Sequence, residues 1–207
     1  MNAKRLFRPG LSVLLVILLV GVWKAATLLN WNPHYRVGQE VDRLNGVAVF
    51  YNGGVGHNSG RNVAPDGYNL GLKYQCVEFV KRYYYEHLHH RMPDAYGHAK
   101  QFFQAGLPDG ARNTHRDLVQ YTNGSVARPR PDDVLVFGPS WLNHYGHVAI
   151  VSALADSTLE IVQQNPGPFG SSRERLPLRC VGDRWWCGNR RVLGWLRKES
   201  AESDKQH

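Results

Sequence analysis

Residues 74–85 read YQCVEFVKRYYY, and this stretch decides how the rest of the chain is understood. Val77, Val80, Tyr84 and Leu88 recur at three- and four-residue steps, with Phe79 and Tyr83 widening the same face. That spacing predicts an amphipathic helix from Val77 to about His90, with Pro93 just past its end. Cys76 therefore opens a helix. Three readings stand for it: a small buried residue, a metal ligand, or a nucleophile. At a first helical turn the free backbone N–H groups and the positive end of the helix dipole favour thiolate over thiol, the form that attacks.

Downstream the period changes from helix to strand. DVLVFG (Asp133–Gly138), GHVAIVSAL (Gly146–Leu154) and LEIVQQN (Leu159–Asn165) are apolar runs bounded by turn formers, and ADST joins the last two into an antiparallel hairpin. RVLGWLRK (Arg191–Lys198) reads as a final strand and GVAVFY (Gly46–Tyr51) as an early one. A glycine-rich loop follows Tyr51, a second helix is expected over Tyr96–Gln104, and residues 106–130 show little periodicity. Loops 52–70 and 105–130 are expected to shape a cleft. Helices early and meandering strands late describe an α+β domain.

His147 starts a strand directly after Gly146, which lets backbone or substrate approach closely. It is either a general base for Cys76 or a structural histidine. In the third strand Leu159, Ile161 and Gln163 share one face, while Glu160 and Gln164 share the other. The hairpin places Gln163 or Asn165 opposite His147. An amide oxygen there can accept the imidazole N–H and fix its tautomer; the alternative is that Gln163 caps backbone at a strand end.

GYNLGLKYQCVEFVKRYY, GSVARPRPDDVLVF, GHVAIV and VQQN together resemble the CHAP family of cysteine- and histidine-dependent amidohydrolases and peptidases, and within it the glutathionylspermidine amidase type. The likeness runs from about Gly46 to Lys198. It implies a papain-like, NlpC/P60-type fold with helices packed on an antiparallel sheet, Cys76 as nucleophile and His147 as base. It also implies a third member at 163, where family members carry glutamate or asparagine and this chain has Gln163. By position alone, Gln75 and the backbone N–H of Cys76 are candidate oxyanion donors. In the turn before Asp133, Asp132 stands where the family has glycine. No cofactor is implied. His87, His89 and His90 lack convincing partners for a metal site.

The chain has 207 residues, enough for one domain. Its front is distinct: MNAKRLFR carries three basic residues and no acid, and Leu11–Trp23 runs apolar for 13 residues. A full span needs roughly 20, so the segment reads as an uncleaved membrane anchor extended past Lys24, a cleaved signal peptide, or a buried core helix. The resulting division is 1–29 anchor or signal, 30–45 linker, 46–198 catalytic domain and 199–207 polar tail, with the domain in the cell envelope outside the cytoplasm. Setting aside Lys4, Arg5, Arg8 and Lys24 leaves 21 basic against 17 acidic residues, a net charge of +4. No basic stripe with interleaved aromatics points to nucleic acid. Cys180 and Cys187 bracket VGDRWW and are the natural disulfide pair in an oxidising compartment, unless all three cysteines stay reduced. The expected reaction is amide hydrolysis through a thioester, on peptidoglycan peptides or on a small glutathionylspermidine-type conjugate. A disused site that only holds peptide or wall is the non-enzymatic alternative.

Overall fold

The computed structural model describes residues 9–94, 97–141 and 143–199. The expected polar tail lies almost wholly outside them. Among the described residues, two α-helices, α1 (Pro9–Leu28) and α2 (Cys76–Glu86), and twelve strands follow in order. The strands are β1 (Glu40–Leu44), β2 (Val47–Phe50), β3 (Arg61–Val63), β4 (Asn69–Leu72), β5 (Ala111–Asn113), β6 (Leu118–Thr122), β7 (Val134–Phe137), β8 (His147–Leu154), β9 (Thr158–Val162), β10 (Arg173–Val181), β11 (Arg184–Cys187) and β12 (Val192–Arg197).

Eight strands form one antiparallel sheet in the order β11-β10-β9-β8-β7-β12-β6-β5. The three apolar runs read from the sequence are its centre. They are continuous rather than alternating because both faces are covered. On β7 and β8, Val134, Val136, Val148 and Ile150 pack toward α2, with Phe79, Val80, Tyr83 and Tyr84. Leu135, Phe137, Ala149 and Val151 face the second cluster, with Leu159, Ile161, Leu178 and Trp195. Burial on both faces removes the polar positions that would have shown a period of two.

Several expectations are corrected. Helix α2 ends at Glu86, because the backbone beyond His87 turns and His89 takes a left-handed φ of 49°. The second helix contracts to one 3₁₀ turn, Ala99–Phe102; residues 95 and 96 lie outside the described set. The turn-rich stretch 106–130 contains β5 and β6, and the final strand lies between β7 and β6 in the sheet. Residues 30–45 do not act as a free linker: β1 pairs with β2, and Asn32 donates to the Pro168 carbonyl at 2.9 Å.

The membrane span expected over 1–29 is not borne out, since among the described residues no helix is long and apolar enough to cross a membrane. The uninterrupted apolar run stops at Trp23, and Lys24 follows inside α1. Residues 1–8 lie outside the described set. Helix α1 nevertheless leaves Val13 to Val20 more than half exposed. Its last turn docks on the domain, the Gly56 N–H donating to Thr27 O at 2.8 Å.

The disulfide is also corrected. Cys76, Cys180 and Cys187 are all free. The β10–β11 register sets Cys180 against Trp185 and Cys187 against Leu178, so the two sulfurs sit on a diagonal, beyond the short Cβ separation a bridge requires.

Candidate active site

The site is assembled where the N-terminus of α2 meets the ends of β8 and β9. The cysteine is 8% exposed. The backbone N–H groups of Val148, the residue after His147, of Val77 and of Cys76 itself favour the thiolate of its sulfur. Gln75 is the N-cap residue but makes no side-chain cap bond, so the first-turn N–H groups keep their capacity to face an incoming oxygen.

His147 is positioned by its neighbours on both sides. It pairs with Phe137 across β7, and the two rings lie 5.9 Å apart. Gly146 holds φ at +77°, and a Cβ there would stand 2.6 Å from Phe137 O and 3.0 Å from the Lys100 nitrogen. Replacing Gly146 with alanine is therefore expected to push the β8 entry away from β7, costing about 1–3 kcal/mol of stability and displacing the imidazole. Urea unfolding together with an activity assay would check this; unchanged values in both would contradict it.

Gln163 is 5% exposed and its Oε1 lies 2.9 Å from His147 Nε2. Gln163 Nε2 donates to Ser171 O at 3.1 Å and to Glu174 Oε2 at 3.3 Å. With both amide hydrogens committed to acceptors, the amide oxygen must face the ring. His147 Nε2 consequently carries the proton, and Nδ1 is left as the basic nitrogen.

Asn165 does not orient the histidine. It donates to Gln75 Oε1 at 2.7 Å and to Val55 O at 2.9 Å. Gln75 in turn donates through Nε2 to His57 O at 2.7 Å, so in this state its amide braces the 55–57 loop rather than lying open as an oxyanion donor. The residues of VQQN thus divide their tasks: Gln163 meets His147, while Gln164 and Asn165 tie β9 to the turn bearing Cys76.

Sequence reasoning missed the support beneath this arrangement. Gln164 is wholly buried, on the face of the third strand that packs toward α2. Its Nε2 donates to Gln75 O at 2.9 Å and to Glu78 Oε2 at 2.8 Å, and its Oε1 accepts from Phe50 N. Glu78 also accepts from Arg82 at 2.6 Å and from Asn62 at 2.8 Å. The available signal was the i,i+4 pair of Glu78 and Arg82 on α2, a pattern that more often marks a solvated face.

Electrostatics correct the expectation of a resting thiolate. Burial pushes the Cys76 thiol up to about 11, outweighing the three backbone N–H groups around the sulfur. Burial likewise pushes His147 down to about 4, opposed by the Gln163 hydrogen bond and assisted by the Arg191 charge. The proton therefore rests on sulfur, and both groups are neutral at pH 7. The folded His147 binds protons less readily than an unfolded histidine at 6.5, so stability falls as pH drops from 6.5 toward about 4.

The CHAP domain family model matches residues 66–165, which include Cys76, His147, Gln163 and Asn165. This stretch resembles a CHAP domain. Among curated proteins, trypanothione synthetase of Crithidia fasciculata is 31% identical over 107 residues, covering 52% of this chain and 16% of that protein. Glutathionylspermidine synthase of the same organism is 30% identical over 100 residues, covering 47% and 14%. The CHAP-like chain thus spans about one-sixth of the length of these relatives or less. Among solved structures, the endolysin LysIME-EF1 is 22% identical with a TM-score of 0.39, over 72% of this chain and 60% of that one. Ly7917 is 23% identical with a TM-score of 0.25, over 35% and 29%. Neither structural likeness is strong enough to carry an argument.

Proposed function

We propose that the chain is a cysteine amidohydrolase acting through a thioester, with an amide of peptidoglycan peptides as substrate. The supporting observation is that Cys76 opens α2, which packs on β8, while His147 at the start of β8 has its tautomer set by Gln163 at 2.9 Å.

The chemistry follows from the neutral pair. As Cys76 Sγ attacks the amide carbonyl, its proton passes to His147 Nδ1, and the resulting imidazolium is held through Nε2–H by Gln163 Oε1. The first-turn N–H groups of α2, that of Cys76 among them, face the developing oxyanion. Gln75 could join them only by releasing His57 O. The imidazolium then protonates the leaving amine. Water, deprotonated by the freed Nδ1, cleaves the thioester, and the proton returns to sulfur.

The active pair holds one proton. Its kcat/KM is accordingly expected to rise with pH through about 4, run flat, and fall above about 11. A pH–rate profile checks this; an acid limb near the ordinary histidine value of 6.5 would instead place a solvated histidine at work.

A second substrate reading, a glutathionylspermidine-type amide, is favoured by the two curated relatives. Incubating the full chain with purified peptidoglycan and, in parallel, with glutathionylspermidine separates the two, with products read by mass spectrometry. Wall fragments supports the first reading, and hydrolysis of the conjugate alone supports the second. Binding of peptidoglycan without cleavage of either would return the site to a binding module. An envelope location goes with the first reading only.

A further inference from the structure

The third member of the catalytic line is an amide that carries no charge, yet a carboxylate lies immediately behind it. Glu174 Oε2 accepts from Gln163 Nε2 at 3.3 Å, on the far side of the amide from His147. Its place follows from β-pairing: Glu174 lies opposite Ile161 in the β9–β10 ladder, and the Gln163 N–H continues that ladder to Ser172 O at 2.8 Å. We propose that Glu174 is a positioning residue that acts on His147 through Gln163, supplying at second remove the negative charge that glutamine lacks. The inference rests on the reading of Cys76 and His147 as the reacting pair.

Two physical effects run along this line. First, an amide has one acceptor end and one donor end. A carboxylate at the donor end disfavours the flipped rotamer, which would put N–H groups against the imidazole and an oxygen against Glu174. Second, the hydrogen bond polarises the amide toward its oxygen as the imidazolium forms. That stabilises the transition state more than the neutral ground state.

The charged and titratable groups around the line are few. His147 feels Arg191 from the turn before β12, whose charge opposes protonation. Glu174 is flanked on its own strand by Arg173 and Arg175. Arg173 is engaged by Asp42 and Glu160, and Arg175 reaches Glu160 at 3.5 Å. Both arginines therefore have acidic partners other than Glu174. Because Glu174 is exposed, its effect should weaken as salt rises.

The test combines kinetics with a readout that needs no turnover. In the full chain, Glu174→Gln is expected to lower kcat/KM by roughly 3- to 10-fold and to move the acid limb downward by about half a pH unit, because one unit corresponds to a tenfold change. In a Gln163→Glu background, with a carboxylate placed directly on the ring, the same substitution should cost less or even raise the rate. A merely structural Glu174 would cost equally in both backgrounds, and that result overturns the inference. Separately, ¹⁵N NMR of the imidazole in Cys76→Ala reports the Nε2–H tautomer. Adding Glu174→Gln should reduce its population; an unchanged tautomer together with an unchanged rate also overturns the inference. Failure of the wider reading looks different: full activity in Cys76→Ala would remove the nucleophile whatever Glu174 does.

Discussion

Replacing Cys76 with alanine is expected to lower kcat/KM on the cleaved amide by at least about 10⁴-fold, the scale found when a covalent nucleophile is deleted. The argument is chemical as well as positional. The thiol sits at the opening of α2, where the backbone N–H groups of Val148, Val77 and Cys76 favour the charged sulfur that attack requires. Alanine keeps helix propensity and removes a single buried sulfur at the first turn of α2, so unfolding should change by about 1–2 kcal/mol. Loss of activity with retained stability is thus the expected pattern. A small activity loss, measured by product release under matched folding, would mean that attack comes from elsewhere.

The second large effect is on stability. Glu78→Ala is expected to cost about 3–5 kcal/mol, since it leaves a buried guanidinium without its counter-charge. For a chain of this size that lowers the melting temperature on the order of 10 °C. Glu78 is 1% and Arg82 5% exposed, and the carboxylate also receives Asn62 and Gln164. Removing it strands three donors together. Replacing both partners with apolar residues, Glu78→Leu with Arg82→Met, should recover much of the loss. Activity should not recover, because Gln164 would no longer be held on both Glu78 and the Gln75 carbonyl. Equilibrium urea unfolding of the single and double variants checks the sign; a single-variant cost below about 1 kcal/mol would show that the network relaxes without penalty.

How much of this was legible follows from the range of each signal. The Cys76 helix start, the β7–β8–β9 meander and the His147–Gln163 pairing are short-range patterns carried by period, turn residues and one hairpin. Asp132 is also local: it adopts φ +73° in the turn where the CHAP family has glycine, and its carbonyl and carboxylate are held by Tyr84 and Tyr83. The strand order was not legible, because nothing in RVLGWLRK states that β12 slots between β7 and β6. Cys180 and Cys187 are near in sequence yet diagonal in the ladder, since pairing register depends on the turn geometry around Gly182.

The amino-acid sequence alone singled out the candidate pair Cys76 and His147, because a cysteine at a helix start and a histidine at a strand start are local features whose chemistry belongs to residue type and backbone end effects. Tertiary structure decided their protonation and support. Neutral Cys76 and His147 arise from burial by elements distant in the chain, and Gln163 gains Glu174 behind it only when β10 pairs with β9. Desolvation and hydrogen-bond direction depend on what packs around a group, and no local pattern encodes that.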